Sequence, residues 1–154
     1  MRRARGAYSG VMSEREPFQV EIKVRHYELD TLGHLNHAMY HSYAEVARLE
    51  LMEQAGPEAD LRSESVAPVL LDSHISFRKE IRSGEVVSVS CDTKFGSGKT
   101  FRMDSVITKS DGSVSAEITC TLGLMDLEKR RLVEDPRGRF ANAGFDTGML
   151  TGPG

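Results

Sequence analysis

Three histidines, His34, His37 and His41, fall within eight residues of one another, with Asp30 just upstream and Glu45 just downstream. On a helix, His37, His41 and Glu45 lie four apart and project from one face. A His-His-Glu set can bind zinc at a catalytic site. The stretch lacks, however, the His-Glu-x-x-His order in which a glutamate between the ligands serves as base. His34 precedes the helix start, so helix geometry does not aim it. Arg48 continues the stripe and would oppose a metal cation. The simpler reading is a polar stripe where a helix meets solvent or a neighbouring chain, and no metal is expected.

Asp30 offers a different chemistry. It stands about six residues before the helix cap at Asn36, with Gly33 giving backbone freedom between them. A carboxylate there can sit near the helix N-terminus, where unpaired N–H groups and the dipole favour negative charge. Taken alone, support of a turn is the simpler role. The same N–H groups can instead polarise a carbonyl and hold the oxyanion as it forms. Asp30 would then attack that carbonyl or activate a water for the attack.

A further motif is misleading. Gly96-Ser-Gly-Lys-Thr100 resembles the end of a phosphate-binding loop, but the full pattern needs glycine where Thr93 stands. It should also lead into a helix, whereas Phe101, Met103 and Ile107 alternate as in a strand. The segment reads as a hairpin turn.

The elements that must position these residues follow from periodicity. Phe18, Val20, Ile22 and Val24 alternate with polar residues, the pattern of a half-buried strand. From Asn36 the period becomes helical through Tyr40, Ala44, Ala47 and Leu51, with Met39, Tyr43, Val46 and Ala55 widening the apolar surface. Asn36 is the expected N-cap and Gly56-Pro57 the stop. A helix apolar over more than half its circumference must be wrapped by something. Four strands follow, carrying Val69, Leu71, Ile75 and Phe77, then Val87, Val89 and Cys91, then Phe101, Met103 and Ile107, then Ala116 through Leu124. Their turns fall at 82–85, 96–98 and 111–112. The expected fold is α+β: an antiparallel sheet of about five strands wrapped around one long central helix. A ferredoxin-like layout would need a second comparable helix. Residues 1–16 read as a flexible N-terminal arm, 17–135 as the domain and 136–154 as a loose C-terminal tail.

The chain has 154 residues, enough for one core, and a net charge of −3 with its signs interspersed. Neither nucleic acid nor an acidic membrane is implied as partner, and no apolar run is long enough to span a bilayer. The N-terminal Arg-rich stretch lacks the apolar region of a secretory signal. Cys91 and Cys120, far apart in strand-like segments, read as buried reduced thiols, which fits a cytoplasmic protein.

The stretch 27–48, YELDTLGHLNHAMYHSYAEVAR, resembles the signature of the 4-hydroxybenzoyl-CoA thioesterase branch of hotdog-fold acyl-CoA thioesterases. The residues that carry the likeness are Asp30, Gly33-His34, Asn36, Tyr40 and Glu45-Val-Ala-Arg48, and the strand order extends it over roughly 17–135. The resemblance implies hydrolysis of an acyl-CoA thioester to the free acid and CoA, without a cofactor. Asp30 would be nucleophile or general base, the backbone N–H of His37 the oxyanion donor, and Gly33, His34, Asn36 and Tyr40 part of the substrate site. Relatives commonly have a second Asn where His37 stands; a backbone donor survives that change. Another hotdog branch uses a helical glutamate as base, which makes Glu45 the reserve candidate, although an ion pair with His41 or Arg48 is the simpler role for it.

The chemistry suits so sparse a site, because a thiolate leaving group with a pKa near roughly 8.5 departs without a strong general acid. The family pairs its subunits so that two sheets become continuous, which implies a homodimer or homotetramer. Arg78, Lys79, Arg82 and Lys99, at strand ends and turns, could meet the nucleotide phosphates. Alternatives remain: an acyl carrier protein in place of CoA, a non-catalytic acyl-binding protein, or the hydratase branch. That last branch spaces its Asp and His one residue wider than Asp30 and His34 here.

Overall fold

The computed structural model describes residues 16–153. The arm expected over 1–16 lies outside the described residues except for Glu16. The first alternating segment forms β1 (Gln19–Lys23) and turns Ile22 and Val24 inward. The long helix α1 spans His37–Ala55. Asn36 caps it by accepting the Ala38 N–H on Oδ1 at 2.9 Å. Gly56 ends it by donating its N–H to the Met52 carbonyl. A side chain at Gly56 would meet Ala59 Cβ and the Phe145 ring, each at 2.6 Å, so the helix end needs glycine for close approach.

The remaining strands are β2 (Val66–Phe77), β3 (Val86–Ser90), β4 (Asp92–Phe95), β5 (Thr100–Thr108), β6 (Val114–Asp126) and β7 (Arg131–Leu132). They form one antiparallel sheet in the order β1-β3-β5-β6-β2, with β4 also on β5 and β7 on β6. Its inner face, including Val87, Val89, Phe101, Met103, Ile107, Ile118 and Leu124, curls around Tyr40, Tyr43, Ala44, Ala47 and Leu51 of α1. This is the curled sheet around one helix expected from the period change, and the hotdog arrangement that the resemblance implied. Cys91 breaks one long strand into β3 and β4, its N–H bonding the Phe18 carbonyl, and both cysteines are buried and free.

Three readings change. Of the expected loose tail, the described residues 136–153 are folded. They form α2 (Pro136–Asn142) and α3 (Thr147–Thr151), capped by Asp135 and Asp146. Phe140 and Leu150 are each 1% exposed, and the Phe140 ring packs against Phe95, Phe101 and Phe145. Helices of seven and five residues are too short to hold alone or to show a period, so tertiary docking makes them. Along β2 the expected inward alternation fails at a bulge. Leu70 faces Leu122 and Asp72 faces Thr121, leaving Leu71 between them. Leu70 and Leu71 are consequently both exposed, as is Phe77, on a strand that forms the sheet edge. Val46, expected on the helix's apolar surface, is also exposed, together with Leu49. No helix among the described residues is long and apolar enough to cross a membrane.

Candidate active site

Between β1 and α1 the chain makes a 3-10 turn at His26–Glu28 and then a tight loop through Asp30. The loop is closed by the Asp30 N–H bonding the His34 carbonyl at 2.7 Å and the Gly33 N–H bonding the Asp30 carbonyl at 3.1 Å. Gly33 has φ +82°, a left-handed conformation in which a side chain is strained. The loop is then tied down on two sides. Leu35 N–H reaches the Ile81 carbonyl at 2.7 Å, and Asn36 N–H reaches the Glu28 carbonyl at 2.9 Å.

This loop orients the Asp30 carboxylate. Oδ1 accepts the N–H groups of Leu32 at 2.9 Å and His34 at 3.0 Å. Oδ2 accepts no hydrogen bond from the described residues. The His34 amide is the main reason the Asp30 carboxyl is held below its ordinary pKa; partial desolvation opposes it and the Leu32 amide adds to it. The carboxylate is therefore ionised at neutral pH, with one oxygen anchored and one available.

Across from it is the start of α1. Asn36 uses its side chain on the Ala38 N–H and its carbonyl on the Met39 N–H. The His37 N–H donates to no acceptor among the described residues. It is the first free amide of a helix of 19 residues, where the dipole favours an anion. Asp30 and His37 line one cleft of about 270 Å³, shared with His34, Leu35, Tyr40, Phe77, Arg78, Lys79 and Glu80. Tyr40 meets Phe77 edge-on with centroids 5.0 Å apart, which gives the cleft an aromatic wall. Burial is the main cause that raises the Tyr40 hydroxyl pKa.

Of the sequence candidates, Asp30, His34, His37, Tyr40, Arg78 and Lys79 meet at this cleft. Gly33 and Asn36 shape it through the backbone, and the Arg82 main chain pairs with His34 in an isolated bridge. The cations differ in freedom. Arg78 pairs with Glu117 at 3.1 Å and Arg82 with Glu80, whereas Lys79 makes no ion pair among the described residues. Lys99 lies at the other end of its strand. Thr100 pairs with Gly123 and Thr108 with Val114, near the Ala116–Phe77 pair of the cleft. That puts Lys99 about 25 Å away along the sheet in the same chain.

Glu45 also stands apart. It lines a separate cavity of about 260 Å³ with His41, Ser42, Arg48, Leu70 and Cys120. Its expected ion pair with His41 or Arg48 is not formed. His41 Nδ1 instead lies 3.2 Å from Ser73 Oγ, and Arg48 Nη1 lies 3.8 Å from Cys120 Sγ. Among the described residues, no three His, Cys, Asp or Glu side chains converge as metal ligands would. A roomier cleft of about 420 Å³ has Glu16 as its sole titratable side chain among the described residues. Chemistry, not volume, therefore singles out the Asp30 cleft. The sequence reading missed Glu80, whose carboxylate lies 3.1 Å from His34 Nε2. Nothing in its turn-like surroundings marks it; only the folded chain brings it to His34.

Comparison with known proteins bears on the family and the fold. The model of the thioesterase-like superfamily matches residues 24–141. The chain belongs to that superfamily and is a thioester hydrolase. It is 27% identical over 114 residues to the long-chain acyl-CoA thioesterase FadM of Escherichia coli (strain K12), covering 73% of this chain and 86% of FadM. The fold is shared with a 1,4-dihydroxy-2-naphthoyl-CoA thioesterase from Synechocystis, at a TM-score of 0.72, 16% identity and coverage of 83% of this chain and 95% of that one. It is shared as well with a Staphylococcus aureus protein solved in complex with CoA, at a TM-score of 0.74, 18% identity and coverage of 88% and 85%.

Proposed function

We propose that the protein hydrolyses acyl-CoA thioesters at the Asp30 cleft. The observation that carries the reading is the pairing of a half-anchored carboxylate with an unengaged helix N-terminal amide in one cleft. The thioester carbonyl lies between them. Asp30 Oδ2 attacks the carbonyl carbon, or removes a proton from a water that does so. Negative charge develops on the carbonyl oxygen and is held by the His37 N–H at the positive end of α1. The carbon–sulfur bond then breaks and CoA leaves as thiolate. In the nucleophilic route, water cleaves the resulting anhydride and regenerates Asp30. Lys79, a cleft cation with no ion pair among the described residues, is suited to the nucleotide phosphates. The similarity to FadM, an acyl-CoA thioesterase, supports CoA as the carrier; acyl carrier protein is the alternative.

The cleft includes Phe77 of β2, a strand that also exposes Leu70 and Leu71, while α1 exposes Val46 and Leu49. Among the described residues nothing pairs with the outer side of the twelve-residue β2, and an edge with exposed apolar side chains calls for a covering strand. We assign that role to a second copy of the chain, which makes the working unit at least a homodimer. Two free buried cysteines suit a reducing compartment, and we place the protein in the cytoplasm.

The test is thiol release from a panel of acyl-CoA and acyl-carrier-protein thioesters by wild type, Asp30→Asn and Glu45→Gln. Asp30→Asn lowers kcat by about 100-fold or more while Glu45→Gln stays near wild type. A near-wild-type Asp30→Asn enzyme removes Asp30 from the mechanism, and ligand retention without turnover across the panel establishes a binding protein instead.

A further inference from the structure

We propose that Glu28 is a positioning residue for this reaction: its buried carboxylate, clamped by Tyr43 of the central helix, holds the Asp30 loop in register with the His37 amide. This rests on the Asp30 reading above. Glu28 is the one acidic side chain fully buried among the described residues, at 5% exposure. Its Oε1 accepts the Tyr43 hydroxyl at 2.6 Å and the Arg25 N–H at 2.9 Å. Its Oε2 lies 3.5 Å from Arg25 Nη1. Its main chain is equally engaged, the N–H on the Arg25 carbonyl at 3.0 Å and the carbonyl receiving the Asn36 N–H at 2.9 Å. One residue thus links the exit of β1, the second turn of α1 and the residue that caps α1. Asp30 follows two positions later.

Packing alone does not require this arrangement. A carboxylate removed from water is unfavourable unless paired, and an apolar pair of similar volume would fill the same space at no loss of stability. A hydrogen bond is directional where an apolar contact can slide. The bond from Tyr43 sets both the height and the rotation of the loop against the helix. Asp30 Oδ2 and the His37 N–H must address one carbonyl carbon and its oxygen, so their mutual placement has little tolerance. Burial and the bond to Glu28 push the Tyr43 hydroxyl well above the ordinary tyrosine value, so it remains a donor throughout the working pH range. Glu28 itself does not line the cleft, so it acts through Asp30 and not on substrate.

The test uses the full chain and an acyl-CoA thioester that wild type turns over. Variants are Tyr43→Phe and Glu28→Gln, which keep the buried volume, together with Asp30→Asn and the double variant Tyr43→Phe/Asp30→Asn. Thermal melting confirms that each is folded. Tyr43→Phe lowers kcat about 10-fold by misplacing the carboxylate. KM changes by no more than about twofold, because ground-state binding is untouched. Glu28→Gln keeps an oxygen able to accept both bonds and restores kcat to within about threefold of wild type. In the Asp30→Asn background Tyr43→Phe causes no further loss, since there is no carboxylate left to position. A wild-type kcat for Tyr43→Phe beside a slow Asp30→Asn overturns the inference while leaving the Asp30 mechanism standing. So does an equal loss in both backgrounds, or a Glu28→Gln enzyme as slow as Tyr43→Phe. A fast Asp30→Asn enzyme overturns the mechanism itself, and this inference with it.

Discussion

Replacing Asn36 with aspartate separates two duties that the wild-type side chain performs together. Asn36 Oδ1 caps α1 through the Ala38 N–H, and the side chain is neutral beside the His37 amide proposed above to hold the oxyanion. Aspartate keeps the acceptor and adds a negative charge at the helix N-terminus, which stabilises the fold by about 0.3–1 kcal/mol. The same charge stands about 5 Å from the forming oxyanion, and at an effective dielectric of 20 the repulsion is on the order of 3 kcal/mol. Water at the open cleft reduces this to about 1–2 kcal/mol, or roughly 5- to 30-fold in kcat. Alanine does the reverse. It loses about 1 kcal/mol of cap energy, and kcat drops only several-fold through fraying of the first turn. The expected order is thus inverted, Asn36→Asp being the more stable and slower enzyme, Asn36→Ala the less stable and faster one. Saturating thiol-release rates at pH 7 and calorimetric melting of the three proteins check this. If Asn36→Asp melts higher than wild type yet turns over at the wild-type rate, negative charge does not develop at the His37 amide, and the oxyanion reasoning is wrong.

Because Asp30 is held below its ordinary pKa, chiefly by the His34 amide, acid should silence the enzyme only late. Its contribution to stability is present above the unfolded value and lost as pH falls through the lower folded value. The acid limb of kcat/KM should accordingly lie below that of an ordinary aspartate; a limb at pH 6 that persists in His34→Gln contradicts the anchoring. Phe140→Ala removes the ring between Phe95, Phe101 and Phe145 and should cost about 3–5 kcal/mol in urea unfolding. A loss under about 1 kcal/mol would mean that α2 is not part of the cooperative unit. Leu70→Lys places a charge on the exposed β2 edge and should turn a wild-type dimer into monomers in sedimentation, with loss of activity. A wild-type monomer, or an unchanged dimer in Leu70→Lys, assigns the edge some other role.

The parts of this fold legible in the sequence are those governed by short-range regularity. The Phe18–Val24 alternation, the helical run opened by Asn36 and stopped by Gly56, and the hairpin glycines each report local backbone geometry, and the structure reproduces them. Asp30, Gly33 and His34 were legible for a related reason: they share one loop, whose hydrogen bonds close within five residues. Glu80 and Glu28 were not. Glu80 meets His34 only because β2 returns beside the loop, and Glu28 is indistinguishable from a surface glutamate until Tyr43 covers it. Lys99 lies far from the cleft of its own chain, because a cation in a turn carries no information about which end of the sheet that turn occupies.

By itself the sequence determined the elements: a carboxylate before a capped, largely apolar helix, followed by strands able to wrap it. Tertiary structure decided which charges are neutralised, which carboxylate sits beside the helix amide and which merely shares its rod, and that residues after 135 fold at all. The physical reason is range. Propensity, capping and alternation act over a few residues, whereas burial, ion pairing and strand register depend on segments far apart in the chain whose encounter only the packed core enforces.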